Sequence, residues 1–356
     1  MIRTLIVDDS AFMRMAIRSM LAGSLDIKIV GDASNGKEAA DKAKALHPDI
    51  IIMDVNMPVM DGLNAVKIIM ETDPVPIIMF STLTTEGSKE ALGALRLGAI
   101  DFVAKPESHH EVNKAEKELI GKIRNIHSSN PNILRLLNMK KFKGEIVRRE
   151  WKCPENSRIS EDFGILIGSS TGGPSSLEQI IPRLPGNLPA AIFIVQHMPE
   201  GSFCKQMADR LNFLSELEVK EARNNEKIKN GTVYLAPGGY HMQLRRALDV
   251  IRIKLVKGQP VHAVMPAIDI TAESMLSVYG KNIVASILTG MGVDGAYGLK
   301  LIKNSGGATI ACSEDTCVIF GMPKAAIENG AIDSVKPIFE IPEEIVDRLG
   351  AKINGK

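Results

Sequence analysis

The sequence predicts an α/β protein with two domains, each built on a doubly wound, mostly parallel sheet. Short apolar runs alternate with segments of helical periodicity in both halves of the 356 residues, a pattern typical of β-α-β units. The length suits two domains and a connecting segment. The segments 233–235, 241–244 and 250–254 run close together and predict a hairpin. The predicted strands are 4–7, 27–31, 50–53, 77–80 and 101–104 in the first half, and 164–168, 191–196, 232–236, 251–255, 283–289 and 308–311 in the second.

A change of composition separates the two halves. Residues 128–132 read Ser-Ser-Asn-Pro-Asn and interrupt regular structure. The residues that follow are basic with few acids. We therefore predict a first domain over 1–126, a basic linker over 127–161 and a second domain over 162–350. The linker is either a solvated tether or a strip that docks a partner.

Composition excludes several classes of protein. The net charge is +1 and aromatic residues make up 4% of the chain, so neither the basic field nor the stacking surface of a nucleic-acid binder is present. The four cysteines suggest neither a zinc site nor a disulfide framework. No apolar run approaches the ~20 residues that span a bilayer, and acids follow the N-terminus too soon for a signal peptide. We expect a cytoplasmic protein that does not insert into a membrane.

Five polar side chains follow the predicted strands of the first domain. Asp8 and Asp9 follow the first strand, Asp54 the third, Ser81 the fourth and Lys105 the fifth. The carboxyl ends of parallel strands meet at one edge of a sheet, so these side chains should converge there. Clustered carboxylates repel one another unless a cation lies among them, and Mg²⁺ prefers such oxygen ligands.

This acid pocket has the groups needed for phosphorylation. Asp54 could attack a phosphoryl group as a carboxylate nucleophile. The metal and Lys105 would neutralise the charge on the transferred oxygens. Ser81 could then hydrogen-bond the phosphate and sense its presence.

A second group of residues predicts a serine nucleophile. The strand 164–168 runs into Gly168-Ser-Ser170-Thr-Gly172, the spacing of a nucleophile elbow, and a helix is predicted to begin near Ser175. His197 follows the next strand and Asp294 follows a later one. In this triad Ser170 attacks, His197 transfers the proton and Asp294 orients the imidazole.

Other interpretations of the second domain remain open at this point. A glycine-rich turn after a strand can also hold a phosphate. A dinucleotide site is disfavoured, because the spacing is G-x-x-x-G-G and the next strand ends in Gln196-His197 without an acid. A scaffold without catalysis and a transcription regulator are further alternatives, although the second half is too large and too neutral for a DNA-binding output domain.

The first domain resembles the receiver domain of response regulators, a flavodoxin-like (βα)5 fold. The resemblance rests on Val-Asp8-Asp9-Ser, Met-Asp54-Val-Asn56-Met-Pro, Phe-Ser81-Thr and Ala-Lys105-Pro. It implies that Asp54 accepts phosphate from a histidine kinase. It also implies that Asp8, Asp9, Asp54 and the carbonyl of Asn56 hold Mg²⁺. Phe102 stands where that family has its aromatic switch residue, and Lys105–Pro106 is expected to be a cis peptide.

The second domain resembles the chemotaxis protein-glutamate methylesterases, the CheB family. The motifs are Ile-Gly-Ser-Ser170-Thr-Gly-Gly-Pro, Val-Gln-His197-Met-Pro, Tyr-Leu-Ala-Pro-Gly-Gly-Tyr-His, Met-Pro-Ala-Ile-Asp, Leu-Thr-Gly-Met291-Gly-Val-Asp294-Gly-Ala and Val-Ile-Phe-Gly-Met-Pro. The resemblance adds the Met291 backbone amide as an oxyanion donor and Thr171 as a neighbour of the nucleophile. Ser169 and Val293 depart from the usual residues, and neither departure removes a catalytic group.

The two resemblances imply a regulated enzyme. Its expected reaction is hydrolysis of glutamate γ-methyl esters, and deamidation of glutamines, on methyl-accepting chemotaxis receptors. Its expected phosphodonor is the histidine kinase of that pathway. Mg²⁺ is expected in the receiver domain and no cofactor in the esterase. A monomer near membrane receptor clusters is expected.

Overall fold

The computed structural model describes residues 1–82, 84–106, 108–129 and 162–355. The chain divides into two compact units near residue 142, and each is described by itself. The predicted linker lies outside the described residues except for 127–129, at the end of the last helix of the first unit. Among the helices that the structure describes, none has the length and apolar character needed to cross a membrane.

The first unit is a five-stranded parallel sheet in the order β2-β1-β3-β4-β5. Strands β3 and β4 are buried along their whole length, which explains their continuous apolar runs. The elements are β1 (Ile2–Val7), α1 (Ala11–Leu21), β2 (Ile27–Ala33), α2 (Gly36–Leu46), β3 (Ile50–Asp54), α3 (Gly62–Thr72), β4 (Ile77–Ser81), α4 (Thr85–Leu97), β5 (Asp101–Ala104) and α5 (His109–Ser128).

Side-chain caps fix where four helices of this unit begin. Ser10, Asn35, Asp61 and Thr84 precede α1 to α4, and the side-chain oxygen of each accepts a hydrogen bond from a backbone amide three residues later. Loss of one such cap costs about 1 kcal/mol. The helix starts are therefore fixed close to the strand ends that carry the acid pocket.

The second unit is a seven-stranded parallel sheet in the order β14-β13-β12-β6-β7-β9-β8, with a separate antiparallel hairpin β10–β11. Its elements are β6 (Gly164–Ser169), α6 (Gly173–Ile180), β7 (Ala191–Gln196), α7 (Phe203–Leu214), β8 (Glu218–Glu221), β9 (Thr232–Leu235), β10 (His241–Ala247), β11 (Val250–Val256), α8 (Ile268–Tyr279), β12 (Ile283–Ile287), α9 (Ala296–Asn304), β13 (Ala308–Cys312), α10 (Met322–Glu328), β14 (Ser334–Lys336) and α11 (Ile341–Ile353).

Strands β12, β6 and β7 lie side by side at the centre of this sheet. The chain passes from β6 to β7 on one side and later returns to β12 on the other, so β6 marks the point where the strand order reverses. In doubly wound sheets, ligands bind outside the carboxyl ends of the strands at such a point. The segments that follow these three strands are therefore the expected place for a site.

The predicted strands are all present, and their ends differ from the predictions by at most two residues. Two short edge strands, β8 and β14, were not predicted because Glu-Val-Lys-Glu and Ser-Val-Lys lack an apolar run. The hairpin consists of β10 and β11, whereas β9 pairs with β7 and β8 in the large sheet. Helix α6 begins at Gly173, two residues before the predicted start.

The expected cis peptide at Lys105–Pro106 is wrong. Among the described residues, the cis peptide bond joins Met265 and Pro266. The trans form is the lower in free energy for most X-Pro bonds.

Candidate active site and acid pocket

The turn between β6 and α6 presents Ser170 at the carboxyl edge of the sheet. Gly172 has a φ of 76°, and a β-carbon there would lie 2.5 Å from Val318, so the turn requires glycine. The Ser170 amide donates to the carbonyl of Thr289 at 2.8 Å, and the Ser170 carbonyl accepts from Gly173 at 2.7 Å. The predicted strand, tight turn and helix around this serine are therefore confirmed.

His197 follows β7, the strand next to β6. Ser169 pairs with Gln196 at the ends of these two strands, and the His197 amide donates to the Ser169 carbonyl at 3.0 Å, so Ser170 and His197 are the residues that directly follow a registered pair. The His197 side chain is 9% exposed, and its Nε2 lies 2.8 Å from Asp294 Oδ2. Its Nδ1 is buried and has no hydrogen-bond partner in the described residues. Because Asp294 occupies Nε2, Nδ1 is the nitrogen left to accept a proton.

Asp294 is a buried carboxylate held by several N–H groups. Besides His197, the amides of Ile268 and Asp269, in the first turn of α8, donate to it at 2.7 and 3.1 Å. Burial alone would raise the pKa of Asp294, but the hydrogen bond from His197 and these amides outweigh burial and hold the pKa below its usual value. The carboxylate therefore stays ionised and fixes the orientation of the imidazole.

A second histidine and a second aspartate adjoin Asp294, and no role was predicted for either. Asp269 Oδ1 accepts from the amides of Gly295 at 3.0 Å and Gly298 at 2.7 Å, and its Oδ2 accepts from His262 Nε2 at 3.1 Å. Burial, with the nearby Asp294 charge, raises the pKa of Asp269, although the Gly298 amide opposes this shift. The buried carboxylate pair is thus flanked by a histidine on each side.

This cluster has the residue types of a metal site, since ligand atoms of His262, Asp269 and Asp294 lie within 4.8 Å of one another. However, both oxygens of Asp294 and Oδ1 of Asp269 already accept N–H donors from the backbone. Those N–H groups place positive partial charge where a cation would bind. The two carboxylates are therefore better suited to orient the His197 and His262 rings than to bind a metal ion.

The Gln196 side chain is hydrogen-bonded to the backbone of both the serine and the histidine. Its Nε2 donates to the carbonyls of Ser170 and His197, each at 3.0 Å. Ser169 Oγ in turn donates to Gln196 Oε1 at 2.6 Å. The serine that departs from the usual family residue at position 169 thus fixes the amide orientation of Gln196. The Gln-His dipeptide in the sequence was the signal for this role.

The segment after β12 approaches the nucleophile from the other side. A β-carbon at Gly290 would lie 2.7 Å from Ser170 Cβ, so the backbone preceding Met291 is in close contact with the serine. Thr171 is buried beside the nucleophile, and its carbonyl accepts from Thr289 Oγ1 at 2.8 Å. Thr171 and the backbone that precedes Met291 therefore lie next to the nucleophile, and the Met291 amide as oxyanion donor stays a prediction.

The acid pocket of the first unit also assembles as predicted. Lys105 Nζ lies 2.9 Å from Asp8 Oδ2 and 2.8 Å from Asp54 Oδ1. Burial raises the pKa of Asp54 although Lys105 opposes this shift. Burial would lower the pKa of Lys105, but the Asp54 and Asp8 carboxylates outweigh it and raise that pKa. The lysine and the two carboxylates form one charged network.

The donor set of this pocket fits Mg²⁺. Carboxylate oxygens of Asp8, Asp9 and Asp54 lie within 4.8 Å of one another, and a cluster of carboxylates suits a hard cation. Asp8 and Asp54 are buried and Asp9 is exposed, so the cluster opens to solvent on one side. The Asn56 side chain donates to Glu90 at 3.0 Å. The Asn56 carbonyl as a ligand stays a prediction.

Ser81 is the last residue of β4, and Phe102 lies inside the neighbouring strand β5. Ser81 is buried, and its hydroxyl donates to the carbonyl of Gly87 in α4 at 3.2 Å. Phe102 is buried, and Lys122 Nζ lies 5.5 Å from its ring centre and 2.5 Å from its carbonyl oxygen. The aromatic ring thus points inward, next to a lysine of α5.

Comparison with known proteins identifies the two units. Residues 4–116 match the response regulator receiver domain, and residues 165–345 match the CheB methylesterase family. A protein-glutamate methylesterase/protein-glutamine glutaminase from Methanosarcina acetivorans is 80% identical over 354 residues, covering 99% of this chain and 100% of that protein. One with the same name from Thermotoga maritima is 43% identical and covers 97% and 98%.

A solved structure agrees with the second match. The crystal structure of the Thermotoga maritima CheB methylesterase catalytic domain is 46% identical, with a TM-score of 0.51, and covers 52% of this chain and 98% of that one. Both domain matches and the 80% identity over nearly the whole chain agree. The chain therefore belongs to the CheB methylesterase family and carries a receiver domain ahead of its methylesterase domain.

Proposed function

We propose that the second domain hydrolyses glutamate γ-methyl esters, and the side-chain amides of glutamines, in protein substrates. The observation that supports the proposal is His197, which Asp294 holds through Nε2, whose Nδ1 has no hydrogen-bond partner among the described residues, and which follows the strand next to that of Ser170. The names of the relatives at up to 80% identity support this choice of substrate. Methyl-accepting chemotaxis receptors are the proposed substrates.

The chemistry follows from the geometry. Ser170 Oγ attacks the ester carbonyl while His197 Nδ1 takes the hydroxyl proton, and Asp294 stabilises the imidazolium that forms. The Met291 amide and the N-terminal amides of α6 would stabilise the oxyanion. Collapse of the tetrahedral intermediate breaks the bond to the methoxy group, which leaves as methanol with the proton from His197.

A second half-reaction regenerates the serine. Water attacks the acyl-enzyme while His197 again takes the proton, and the bond to Ser170 Oγ breaks to release a glutamate carboxylate. With a glutamine substrate the first leaving group is ammonia. Thr171 packs beside the nucleophile and helps hold its rotamer.

We also propose that phosphorylation of Asp54 activates the esterase. The Asp54 carboxylate would attack a phosphoryl group donated by the histidine kinase, with Lys105 beside the transferred oxygens. Asp8, Asp9, Asp54 and the Asn56 carbonyl would hold Mg²⁺, whose chemistry is to neutralise charge on those oxygens. Ser81 would release the Gly87 carbonyl to bind the phosphate, and Phe102 would repack.

In this proposal the unphosphorylated receiver hinders access of the substrate to Ser170. The proposal predicts that removal of residues 1–155 raises basal methanol release. Release at or below that of the full chain would contradict the inhibitory role. We place the enzyme in the cytoplasm near receptor clusters, acting as a monomer.

The decisive experiment compares wild type with Ser170→Ala on receptor fragments that carry labelled methyl esters. The variant should lose almost all methanol release, because triad members act as a unit. Ser277→Ala, which removes an exposed hydroxyl from α8, is the matched control and should keep wild-type activity. Equal release by wild type and Ser170→Ala would contradict the proposal. A wild type without release, even with Mg²⁺ and a small phosphodonor, would favour a scaffold or a different substrate.

A further inference from the structure

Three cations form a row across the outer face of the hairpin. Arg245 of β10 pairs directly with Arg252 of β11, and Lys227 forms a bridge with Arg252 from the other side. Residues directly opposite in antiparallel strands lie on the same face with Cβ atoms about 5 Å apart. We call Lys227, Arg252 and Arg245 the cation row. Lys254, two residues from Arg252 along β11, lies on the same face and is exposed.

Among the described residues, no acid neutralises the charge of the cation row. In the portion of the protein that the structure describes, no carboxylate oxygen lies within 4.0 Å of the three side chains, whereas neighbouring cations are paired: Lys220 with Glu218 and Glu226, Arg246 with Asp162, and Lys257 with Glu200.

Neutral oxygens hold the two arginines in place instead. Arg245 Nη2 donates to Asn225 Oδ1 and Arg252 Nη1 donates to the Asn225 carbonyl, both at 2.9 Å. The guanidinium groups are therefore oriented while they keep their full charge.

This arrangement does not serve the stability of the hairpin. Like charges directly opposite each other in a β-ladder are destabilising. The chain as a whole has a net charge of only +1, so the row is a local concentration of charge and not part of a generally basic surface. A surface that costs stability and leaves charge unpaired is typical of a binding surface for an anionic partner.

The hairpin is fixed to the element that supports the catalytic aspartate. Thr271 Oγ1 of α8 donates to the Met242 carbonyl at 2.7 Å, and the Leu244 amide donates to Ser274 Oγ at 3.0 Å. The first amides of α8 are those that hold Asp294.

At the start of β10, His241 Nδ1 accepts from the amide that precedes α8, at 3.2 Å. Arg245 lies four residues further along the strand, about 13 Å away. The cation row is thus connected through hydrogen bonds to α8, the helix whose first amides hold Asp294.

We propose that the cation row binds an acidic segment of the substrate protein that flanks the residue being hydrolysed. This inference rests on the proposed function, because each turnover converts a neutral ester or amide into a carboxylate. A substrate with several modifiable residues therefore carries new negative charges beside those that remain. Asp249 at the hairpin tip is exposed and would oppose an anionic membrane surface, so the row fits an acidic protein segment better than a lipid leaflet.

The test uses the full chain and two peptides, each with one glutamate γ-methyl ester, flanked by glutamates in one and by glutamines in the other. The variant Lys227→Gln/Arg245→Gln/Arg252→Gln is compared with Lys205→Gln/Lys281→Gln/Lys324→Gln, which removes the same charge from exposed lysines elsewhere in the domain. Methanol release gives kcat and KM for each peptide at two salt concentrations.

The row variant should raise KM for the acidic peptide about tenfold or more at low salt, with kcat unchanged, and should leave the neutral peptide unaffected. The difference should shrink as the Debye length falls from about 30 Å at 0.01 M to about 8 Å at 0.15 M. The control variant should leave both peptides unaffected. Equal KM changes for the two peptides, or no change, would overturn the proposal.

Two further outcomes are distinguishable. If the wild type hydrolyses neither peptide and no receptor fragment, the proposed function itself fails. If the acidic peptide is unaffected but the row variant no longer sediments with phosphatidylserine vesicles that the wild type binds, the row is a membrane surface and the proposal is wrong. Thermal unfolding of both variants checks that the fold is kept.

Discussion

Gly290 offers the sharpest test of how the active site is packed. A β-carbon there would lie 2.7 Å from Ser170 Cβ and 2.3 Å from Met322 Sδ. Carbon atoms in contact are normally about 3.5–4.0 Å apart, so Ser170 or the β12 end must move by about 0.8 Å. The φ of Gly290 lies outside the left-handed region, so alanine meets only a lack of space.

The expected cost of Gly290→Ala follows from that displacement. A misplacement of about 1 Å at a reacting group costs about 10²-fold in rate, so kcat/KM for methanol release should fall by about that factor. Overpacking of a buried site should lower the free energy of unfolding by about 1–3 kcal/mol. Gly23→Ala is the control, because a β-carbon there meets no described atom within 4 Å. Steady-state methanol release and urea unfolding measure the two effects.

One result would refute this reasoning. If Gly290→Ala loses stability as expected but keeps kcat/KM within about threefold of wild type, then the strain relaxes through Met322 alone. The contact between Gly290 and Ser170 would then not position the nucleophile. The proposal that the Met291 amide, in the segment after β12, stabilises the oxyanion would lose its structural basis.

Four other perturbations test the remaining parts. Asp294→Asn should lower kcat by about 10³–10⁴-fold, because the amide cannot stabilise protonated His197, and a loss below tenfold in methanol release would speak against the triad. The fold lowers the pKa of Asp294, so the ionised carboxylate stabilises the fold above its unfolded pKa of about 3.9, and this stabilisation is lost as the pH falls through the folded pKa. In urea unfolding, the free energies of wild type and Asp294→Asn should therefore differ less at low pH than at neutral pH. A difference that does not change with pH would contradict this. Asp54→Asn should take up no phosphate from a small phosphodonor with Mg²⁺, as measured by mass spectrometry, while basal methanol release persists. If the variant is still phosphorylated, a residue other than Asp54 accepts the phosphate. His262→Ala should lower kcat about three- to tenfold, because Asp269 loses a side-chain hydrogen bond of about 1 kcal/mol, and an unchanged kcat would leave His262 without a role in positioning.

The sequence predicted the fold well because the strands are buried on both faces. Segments such as Ile50–Asp54 and Ala191–Gln196 are apolar up to their last residue, and that last residue is polar. The edge strands Glu218–Glu221 and Ser334–Lys336 were not predicted. Each is short and pairs with a single neighbouring strand, so its sequence shows no apolar run. The position of β9 in the large sheet depends on long-range pairing, which sequence proximity does not encode.

The site was predictable to a similar degree. Residues at strand ends, such as Ser170 and His197, could be placed because parallel strands share an edge. Which nitrogen of His197 contacts Asp294 depends on the orientation of the imidazole ring, which no sequence pattern specifies. In the structure Nε2 makes this contact and Nδ1 is left without a partner among the described residues. Asp269 and His262 were missed because their role depends on a loop that brings them against Asp294.

The order of the three central strands has a consequence for synthesis of the protein. Serine and histidine come from adjacent strands early in the second domain, but the aspartate follows β12, which is made much later. A nascent chain that has emerged only as far as β11 has a nucleophile and a base but no anchor for the imidazole. Hydrolysis therefore requires that β12 and the segment after it have emerged and packed beside β6, so activity of a nascent chain reports that this side of the sheet has formed.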